Sequence, residues 1–407
     1  MSGRFGLLGE KLSHSFSPLI HGMLGDYEYT LIERQPDELE ALFAEGGYDG
    51  FNVTIPYKKS VIPYMAELSD AAKRCGSVNT VIRRPDGTYF GDNTDFYGFS
   101  VMLEKSGIDV SEKKVLVLGN GGVAPTVREV LKDAGDAGII TISRSGEDNY
   151  DNLYRHRDAA VIVNTTPVGM YPGNGKSPVR ISDFPDLEGA LDLIFNPLCT
   201  ELMLQAEDAG IKTAGGLLML AAQAVRASER FCGVEYHAGT AEKIAEEVER
   251  RQTTVFLIGM PGCGKSTIGK VLAKECGREF IDTDCEIQKV CGRSPSEIIT
   301  KDGTAAFRKL ETDILRSASA RCGAVVATGG GVVTVPENLR LMRQNGIIVF
   351  LDASLDQLET CDRPLSAAGV ERLAEERMPL YRSWAVATFK VRGIKKTVSS
   401  IRGALLI

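Results

Sequence analysis

The chain is poor in the residues that build metal sites and disulfide frameworks. Only 4 histidines occur among 407 residues, and none has zinc-site spacing. The 9 cysteines are scattered, with no C-x-x-C pair and no regular interval. This argues against a disulfide scaffold and predicts free thiols in a reducing, cytoplasmic compartment. Long hydrophobic runs are missing as well. The apolar stretch in MSGRFGLLGEKLSHS is too short for a signal peptide, and Leu217–Val225 is too short to span a bilayer. There is no basic excess. A net charge of −7 argues against nucleic acid or an anionic membrane as main partner, and no partner protein is evident. Repeats, low-complexity segments and Gly/Ser or Pro-rich linkers are also lacking.

What is there is a globular composition, 43% hydrophobic and 25% charged, in a chain long enough for two to three domains. Strand-like runs alternate with helix-like runs, the pattern of an α/β fold. Three blocks are expected: residues 1–100; residues 101–215, holding a glycine-rich turn; and residues 253–407, holding a second. A helix pair over residues 216–252 closes the first half.

The two glycine turns differ in kind. In TTVFLIGMPGCGKST, a β-branched run leads into the full G-x-x-x-x-G-K-[ST] pattern. Gly259, Gly262 and Gly264 let backbone N–H groups curl around phosphate oxygens, and Thr267 lies on the same nucleotide side. Lys265 places a cation near the transferring phosphoryl, and Ser266 offers an oxygen to Mg²⁺. The following helix adds its N-terminal dipole. Downstream, EFIDTDCEI sets Asp282 and Asp284 two apart at a strand end, for a metal and a substrate hydroxyl or simply for a helix cap. FRKLE sets Arg308 and Glu311 three apart, where a surface ion pair is the usual meaning. ATGGGVV permits close backbone approach to a ligand, and DRPL and ERMPLYR supply Arg363 and Arg377.

In this order the motifs resemble shikimate kinase over residues 253–407. The resemblance implies a P-loop domain with a central parallel sheet that uses ATP and Mg²⁺ to phosphorylate shikimate. It places Asp284, Arg308, Gly330 and Arg377 on shikimate, two guanidinium groups suiting its carboxylate. Asp284 would contact the attacking hydroxyl, Asp282 would support the metal through water, and Arg363 would be the lid arginine. The segment SAAGVERLAEE is shorter than usual for the family, which bears on lid closure and turnover.

The first turn, KVLVLGNGG, is a modest dinucleotide signal: strand, Gly119, Gly121 and Gly122, then a helix. The next strand ends at Arg144, where NAD-binding units usually carry an acid, and an arginine there suits the 2′-phosphate of NADP(H). Glu147 and Asp148 lie close by. Before the turn, Thr54 and Lys58 in NVTIPYK, Asn79 in SVNT and Asp95 in GDNTDFYG offer a lysine–carboxylate pair. Such a pair can protonate a ketone oxygen that accepts a hydride. Ser15 and Ser17 in HSFSP read equally as helix caps ahead of Pro18.

The ordered set HSFSPLIH, NVTIPYK, GSVNT, GDNTDFYG, LGNGGVA, SRS, NTTPVGM, DLIFNP and GLLMLAAQA resembles shikimate dehydrogenase from about residue 4 to 250. The resemblance implies a two-lobed enzyme with a Rossmann NADP-binding lobe that reduces 3-dehydroshikimate with NADPH. Ser15, Ser17, Thr54, Asn79, Asp95 and Gln223 would hold substrate, with Lys58 catalytic and paired to Asp95. Gly119, Gly121, Gly122, Arg144, Asn164, Thr165 and Met170 would lie on the cofactor side. Phe195 stands where tyrosine is common, and Gly22 where asparagine is usual. The expected function is therefore bifunctional. Two alternatives remain open: a first half that prefers quinate with NAD, and a metabolite sensor without catalysis.

Overall fold

The computed structural model describes residues 3–12, 15–135, 138–355, 358 and 369–405. They divide into two compact units. One comprises Met1–Met170, Lys176–Phe195 and Gln205–Val248; the other comprises Tyr171–Gly175, Asn196–Leu204 and Glu249–Ile407.

The first unit holds two sheets. The N-terminal one is mixed and contains β1 (Arg4–Gly9), β2 (Glu28–Glu33), β3 (Gly50–Val53), β4 (Glu67–Leu68), β5 (Thr80–Arg83) and β6 (Tyr89–Asp92). Their order is β2-β1-β3-β5-β6-β4, with β5 antiparallel to both neighbours. One face packs on a core of Leu8, Ile32, Phe43, Phe51, Val53, Tyr57 and Val81. The second sheet is wholly parallel, as near-continuous Val/Ile/Leu runs such as KVLVL predict for strands buried on both faces. It comprises β7 (Lys114–Leu118), β8 (Gly138–Ile142), β9 (Val161–Asn164), β10 (Gly189–Asp192) and β11 (Lys212–Gly215), in the order β11-β10-β9-β7-β8. The chain order reverses between β7 and β9. Such a switch point at the carboxyl ends of strands is where doubly wound sheets bind ligands, and the first glycine turn follows β7 there.

Within this unit the helix Thr94–Ser106, capped by Asn93, crosses the helix Leu217–Cys232 closely at Gly98. A Cβ on Gly98 would lie 2.7 Å from the Met219 carbonyl oxygen. Helix Thr240–Gln252 packs beside it through Ala241, Ile244 and Val248. Arg74 reaches from the helix Asp70–Cys75 to Glu129 at 3.2 Å and Asp133 at 2.6 Å on the helix Ala124–Asp133. Asn93 Nδ2 also approaches Thr126 Oγ1 at 3.4 Å. These contacts register the first sheet's helices against the helix that follows the glycine turn.

The second unit is built on a parallel sheet, β12 (Thr254–Ile258), β13 (Phe280–Asp282), β14 (Val325–Ala327), β15 (Gly346–Asp352) and β16 (Ala387–Lys390), in the order β13-β14-β12-β15-β16. Its middle strand, β12, feeds the second glycine turn. Phe256, Ile258, Leu315, Phe350 and Tyr381 fill one side; Val255, Leu257, Leu272, Val349 and Ile401 fill the other. The unit's two earlier chain segments are tied in by polar groups. Asn174 Nδ2 donates to Gln344 Oε1 at 2.8 Å, Cys199 N donates to the Gln344 carbonyl at 2.9 Å, and Arg340 meets Glu201 at 2.8 Å.

Candidate active sites

Lys58 lies beyond β3, in a loop whose backbone is pinned: Val78 N donates to the Lys58 carbonyl at 2.8 Å, and Thr54 N to that of Leu8 at 2.9 Å. Asp95 stands in the first turn of the helix Thr94–Ser106, where its charge is favoured by the helix dipole. The structure brings them together, with Lys58 Nζ 2.6 Å from Asp95 Oδ2 and side chains only 17% and 11% exposed. A partly desolvated ammonium, oriented by a carboxylate, can give a proton to a ketone oxygen or stabilise an alkoxide.

The other residues expected on this side fall into two groups. Asn79 is buried, and its Oδ1 accepts from Thr94 N at 2.7 Å and from Thr80 Oγ1 at 3.1 Å, which leaves Nδ2 to offer. Gln223 is buried on the helix Leu217–Cys232, and its Nε2 donates to the Leu220 carbonyl at 2.9 Å, which leaves Oε1. Thr54 and Ser15 are half-buried and Ser17 is buried. Ser15 Oγ accepts from Ser17 N at 3.2 Å, close to the capping reading of that motif. Phe195 packs its ring against Phe16, centroids 5.5 Å apart, and so presents no hydroxyl. A Cβ at Gly22 would meet nothing within 4 Å.

Around the first turn, Gly119 has φ +101°, and a Cβ there would lie 2.9 Å from Thr165 Oγ1. Only glycine fits so close an approach. Gly121 and Gly122 face open space. Asn164 is fully buried between Asp192 Oδ1, 3.0 Å from its Nδ2, and Thr166 Oγ1, 2.7 Å from its Oδ1. Thr165 Oγ1 donates to the Leu118 carbonyl at 2.7 Å. These two residues therefore brace the carboxyl ends of β7, β9 and β10 against one another. Met170 and Arg144 are exposed. The acids near Arg144 differ in what they do. Asp148 Oδ1 is 2.7 Å from His156 Nε2 and 3.8 Å from Arg155, so it is committed away from a ribose; Glu147 holds Asn152 through its backbone carbonyl. An exposed guanidinium at this strand end fits a 2′-phosphate.

The second turn has the curl its glycines predict, with φ +86° at Gly262 and +88° at Gly264. Gly259 opens the turn beside the exposed Ser266 and Thr267. Lys265 is buried and donates from Nζ to the carbonyls of Gly259 at 2.8 Å and Met260 at 2.9 Å, neutral acceptors that leave its charge uncompensated. Ser266 Oγ donates to Asp282 Oδ2 at 2.5 Å, while Oδ1 of the same carboxylate caps the helix Thr283–Cys291 by accepting from Asp284 N at 3.1 Å. The capping reading of Asp282 holds, and its other oxygen is turned to Ser266. The hydroxyl and carboxylate fit Mg²⁺ carried by a nucleotide; among the described residues there is no cluster of three acidic, His or Cys ligands.

Gly262, Gly264, Lys265, Ser266, Thr267 and Asp282 line a cavity of about 370 Å³ together with Asp284, Arg308, Glu311, Gly330 and Arg377. The Arg308–Glu311 pair is not a surface ion pair. Glu311 is fully buried; burial raises its pKa and the Arg308 guanidinium draws it back down. Arg308 also lies against the backbone of Gly331, where a Cβ would collide with its guanidinium. Arg377 is buried and donates from Nη1 to the Gly330 carbonyl at 3.2 Å. Tyr381, which the motif contained but to which the sequence assigned no task, donates to the same carbonyl. Burial raises its phenol pKa, so it stays a donor. Ser294, Ser296 and Ile299 also line the cavity. The capping box of the helix Pro295–Asp302, Ser294 to Glu297, was the available sequence signal for them. Arg363 lies outside the described residues.

The family model for the shikimate dehydrogenase substrate binding domain matches residues 7–81. The shikimate dehydrogenase (NADP(+)) of Clostridium perfringens strain SM101 is 37% identical over 269 residues, covering 61% of this chain and 98% of that protein. The chain belongs to the shikimate dehydrogenase family. Its C-terminal part carries a further domain: the shikimate kinase family model matches residues 261–401. Among solved structures, a chorismate mutase/shikimate 5-dehydrogenase fusion protein from Clostridium acetobutylicum aligns with TM-score 0.59 and 34% identity, over 61% of this chain and 98% of that one. The shikimate 5-dehydrogenase of Thermus thermophilus, in complex with NADP(H) and shikimate, aligns with TM-score 0.55 and 30% identity, over 61% of this chain and 99% of that one. Lys58 lies within the residues matched by the dehydrogenase model, and Gly262–Thr267 within those matched by the kinase model. No helix among the described residues is long and apolar enough to cross a membrane.

Proposed function

We propose that this chain catalyses two consecutive reactions, NADPH-dependent reduction of 3-dehydroshikimate to shikimate and ATP-dependent phosphorylation of shikimate to shikimate 3-phosphate. The observation that carries the reading is that one chain holds both an assembled lysine–aspartate pair and a P-loop cavity lined by two arginines.

In the first reaction the ketone carbon takes a hydride and its oxygen must take a proton. Lys58, held by Asp95, delivers that proton or stabilises the forming alkoxide. Asn79 Nδ2, Gln223 Oε1 and the hydroxyls of Ser15, Ser17 and Thr54 orient the polyol. NADPH, when bound on Gly119, Gly121 and Gly122, supplies the hydride. Arg144 favours its 2′-phosphate, and Asn164, Thr165 and Met170 border it. Replacing Arg144 by alanine will cost about 1–3 kcal/mol of NADPH binding, the range of a charge-assisted hydrogen bond. NADH binding will change little. Titrations showing equal loss with both cofactors would remove Arg144 from phosphate recognition.

In the second reaction Arg308 and Arg377 hold the carboxylate of shikimate and Asp284 contacts its attacking hydroxyl. Lys265 turns its charge from loop carbonyls to phosphate oxygens. ATP with Mg²⁺, on Gly259, Gly262, Gly264, Thr267, Ser266 and Asp282, supplies the phosphoryl group and its counter-charge. Arg363 is assigned to the lid on resemblance alone. The ligands are small molecules, with no nucleic acid, membrane or partner protein required. Scattered thiols support a cytoplasmic setting. The test is a single vessel containing the full chain, 3-dehydroshikimate, NADPH, ATP and Mg²⁺. Shikimate 3-phosphate should form at the expense of both cofactors. Failure to oxidise NADPH, or failure to phosphorylate added shikimate, would refute the corresponding half.

A further inference from the structure

Arg128 belongs to the helix Ala124–Asp133 and has no place in the assignments above. Its half-buried side chain extends toward β8. Nη1 lies 3.4 Å from Asn120 Oδ1 in the glycine turn and 3.4 Å from Thr141 Oγ1 on β8. Both contacts are at the long limit of a hydrogen bond, and both acceptors are neutral. They position the guanidinium without neutralising it.

The acids of its own helix are engaged elsewhere. Glu129 and Asp133 hold Arg74, and Glu129 also holds Lys132. Asp148 is taken by His156 and Arg155. Among the described residues Arg128 forms no ion pair. A half-buried cation without a counter-charge is the unsatisfied member of this neighbourhood, and an anion is what would satisfy it.

Its position says which anion. Thr141 comes shortly before the end of β8, and Arg144 follows that end. In a doubly wound sheet, the strand after the glycine turn ends beside the adenosine ribose of a bound dinucleotide. Arg128 approaches that place from the helix and Arg144 from the loop. The glycine turn itself is open, with nothing within 4 Å of a Cβ at Gly121 or Gly122. A phosphate monoester carries about −1.5 to −2 charge at neutral pH, more than one guanidinium compensates.

We propose that Arg128 is a second specificity-determining residue, pairing with the 2′-phosphate of NADP(H) together with Arg144. The proposal rests on the NADPH reading of the first site. The competing account is that Arg128 only fastens Asn120 and so stiffens the turn. Fastening would affect phosphorylated and unphosphorylated ligands alike; phosphate pairing affects only the former.

Calorimetric titration of the full chain with 2′,5′-ADP and with 5′-AMP separates the two, with KM for NADPH and NADH as a second readout. R128Q should lose about tenfold or more in affinity for 2′,5′-ADP, with 5′-AMP binding and the KM for NADH unchanged. R128K, which keeps the charge, should recover part of the loss. N120A should stay within about twofold of the unaltered chain, since a neutral contact at this distance contributes little. Melting temperatures of the three variants show whether each is folded. Undiminished 2′,5′-ADP binding by R128Q, equal loss of both ligands, or N120A reproducing the loss would each overturn the assignment. If the unaltered chain bound 2′,5′-ADP no better than 5′-AMP, the NADPH reading itself would fall. If it discriminates and only R128Q is silent, that reading stands and Arg128 drops out.

Discussion

Lys265→Ala will abolish phosphoryl transfer to shikimate while NADPH oxidation continues, so that shikimate accumulates in the coupled assay. Lys265 is buried at the start of the helix Lys265–Cys276, and its ammonium rests on two carbonyls of its own loop. Nothing else in the second turn carries a positive charge to the β/γ-phosphates. Losing a preorganised cation from a phosphoryl-transfer site typically costs on the order of a hundred- to a thousandfold in kcat. The dehydrogenase residues named above all lie in the other compact unit, so their rate should stay near that of the unaltered chain. A folded variant that still phosphorylates shikimate at a normal rate would refute the role of Lys265. A severalfold drop in dehydrogenase kcat would require treating the two sites as one coupled system.

The reciprocal variant, Lys58→Ala, should lower kcat for dehydroshikimate reduction by at least about a hundredfold, as expected on losing a general acid or an alkoxide stabiliser. KM should move much less, because Asn79, Gln223 and the hydroxyls remain to bind the polyol. Added shikimate should still be phosphorylated. The substitution also strands Asp95, a carboxylate with only 11% exposure, so some loss of stability is expected. A melting curve separates that loss from the chemistry. Near-normal kcat in a folded variant would exclude Lys58 from proton transfer.

Much of this was legible because the chemistry is written locally. A strand, a glycine turn and a helix start occupy adjacent residues, so KVLVLGNGG and FLIGMPGCGKST declare both turns and their ligand class. Lys58 and Asp95 were legible as motif residues, but the 2.6 Å contact between them depends on the pairing of β3, β5 and β6, which no local pattern states. Arg308 and Glu311 show the limit from the other side. At i, i+3 they read as a surface pair, and only the packing of the helix Thr304–Ser319 against the GGG turn turns them inward. The fate of Asp148 was equally hidden, since its partner His156 is identified only once the loop after β8 closes on itself. Tyr381 and Ser294 sat in recognisable motifs yet lacked a task, because the cavity that gives them one is assembled from several distant segments.

The discontinuous second unit has a consequence for how the protein is made. Asn174 leaves the ribosome 170 residues before Gln344, the side chain it will bond. At a synthesis rate of about 5–20 residues per second, the wait is roughly 10–30 s. The strands of the first unit are complete once Gly215 has been made, early in that interval, yet Tyr171–Gly175 and Asn196–Leu204 still await most of the unit they belong to. The nascent chain must carry two open loops through the whole synthesis of the sequence that will receive them. The order of translation, and not only the order of reactions, runs from the first activity to the second.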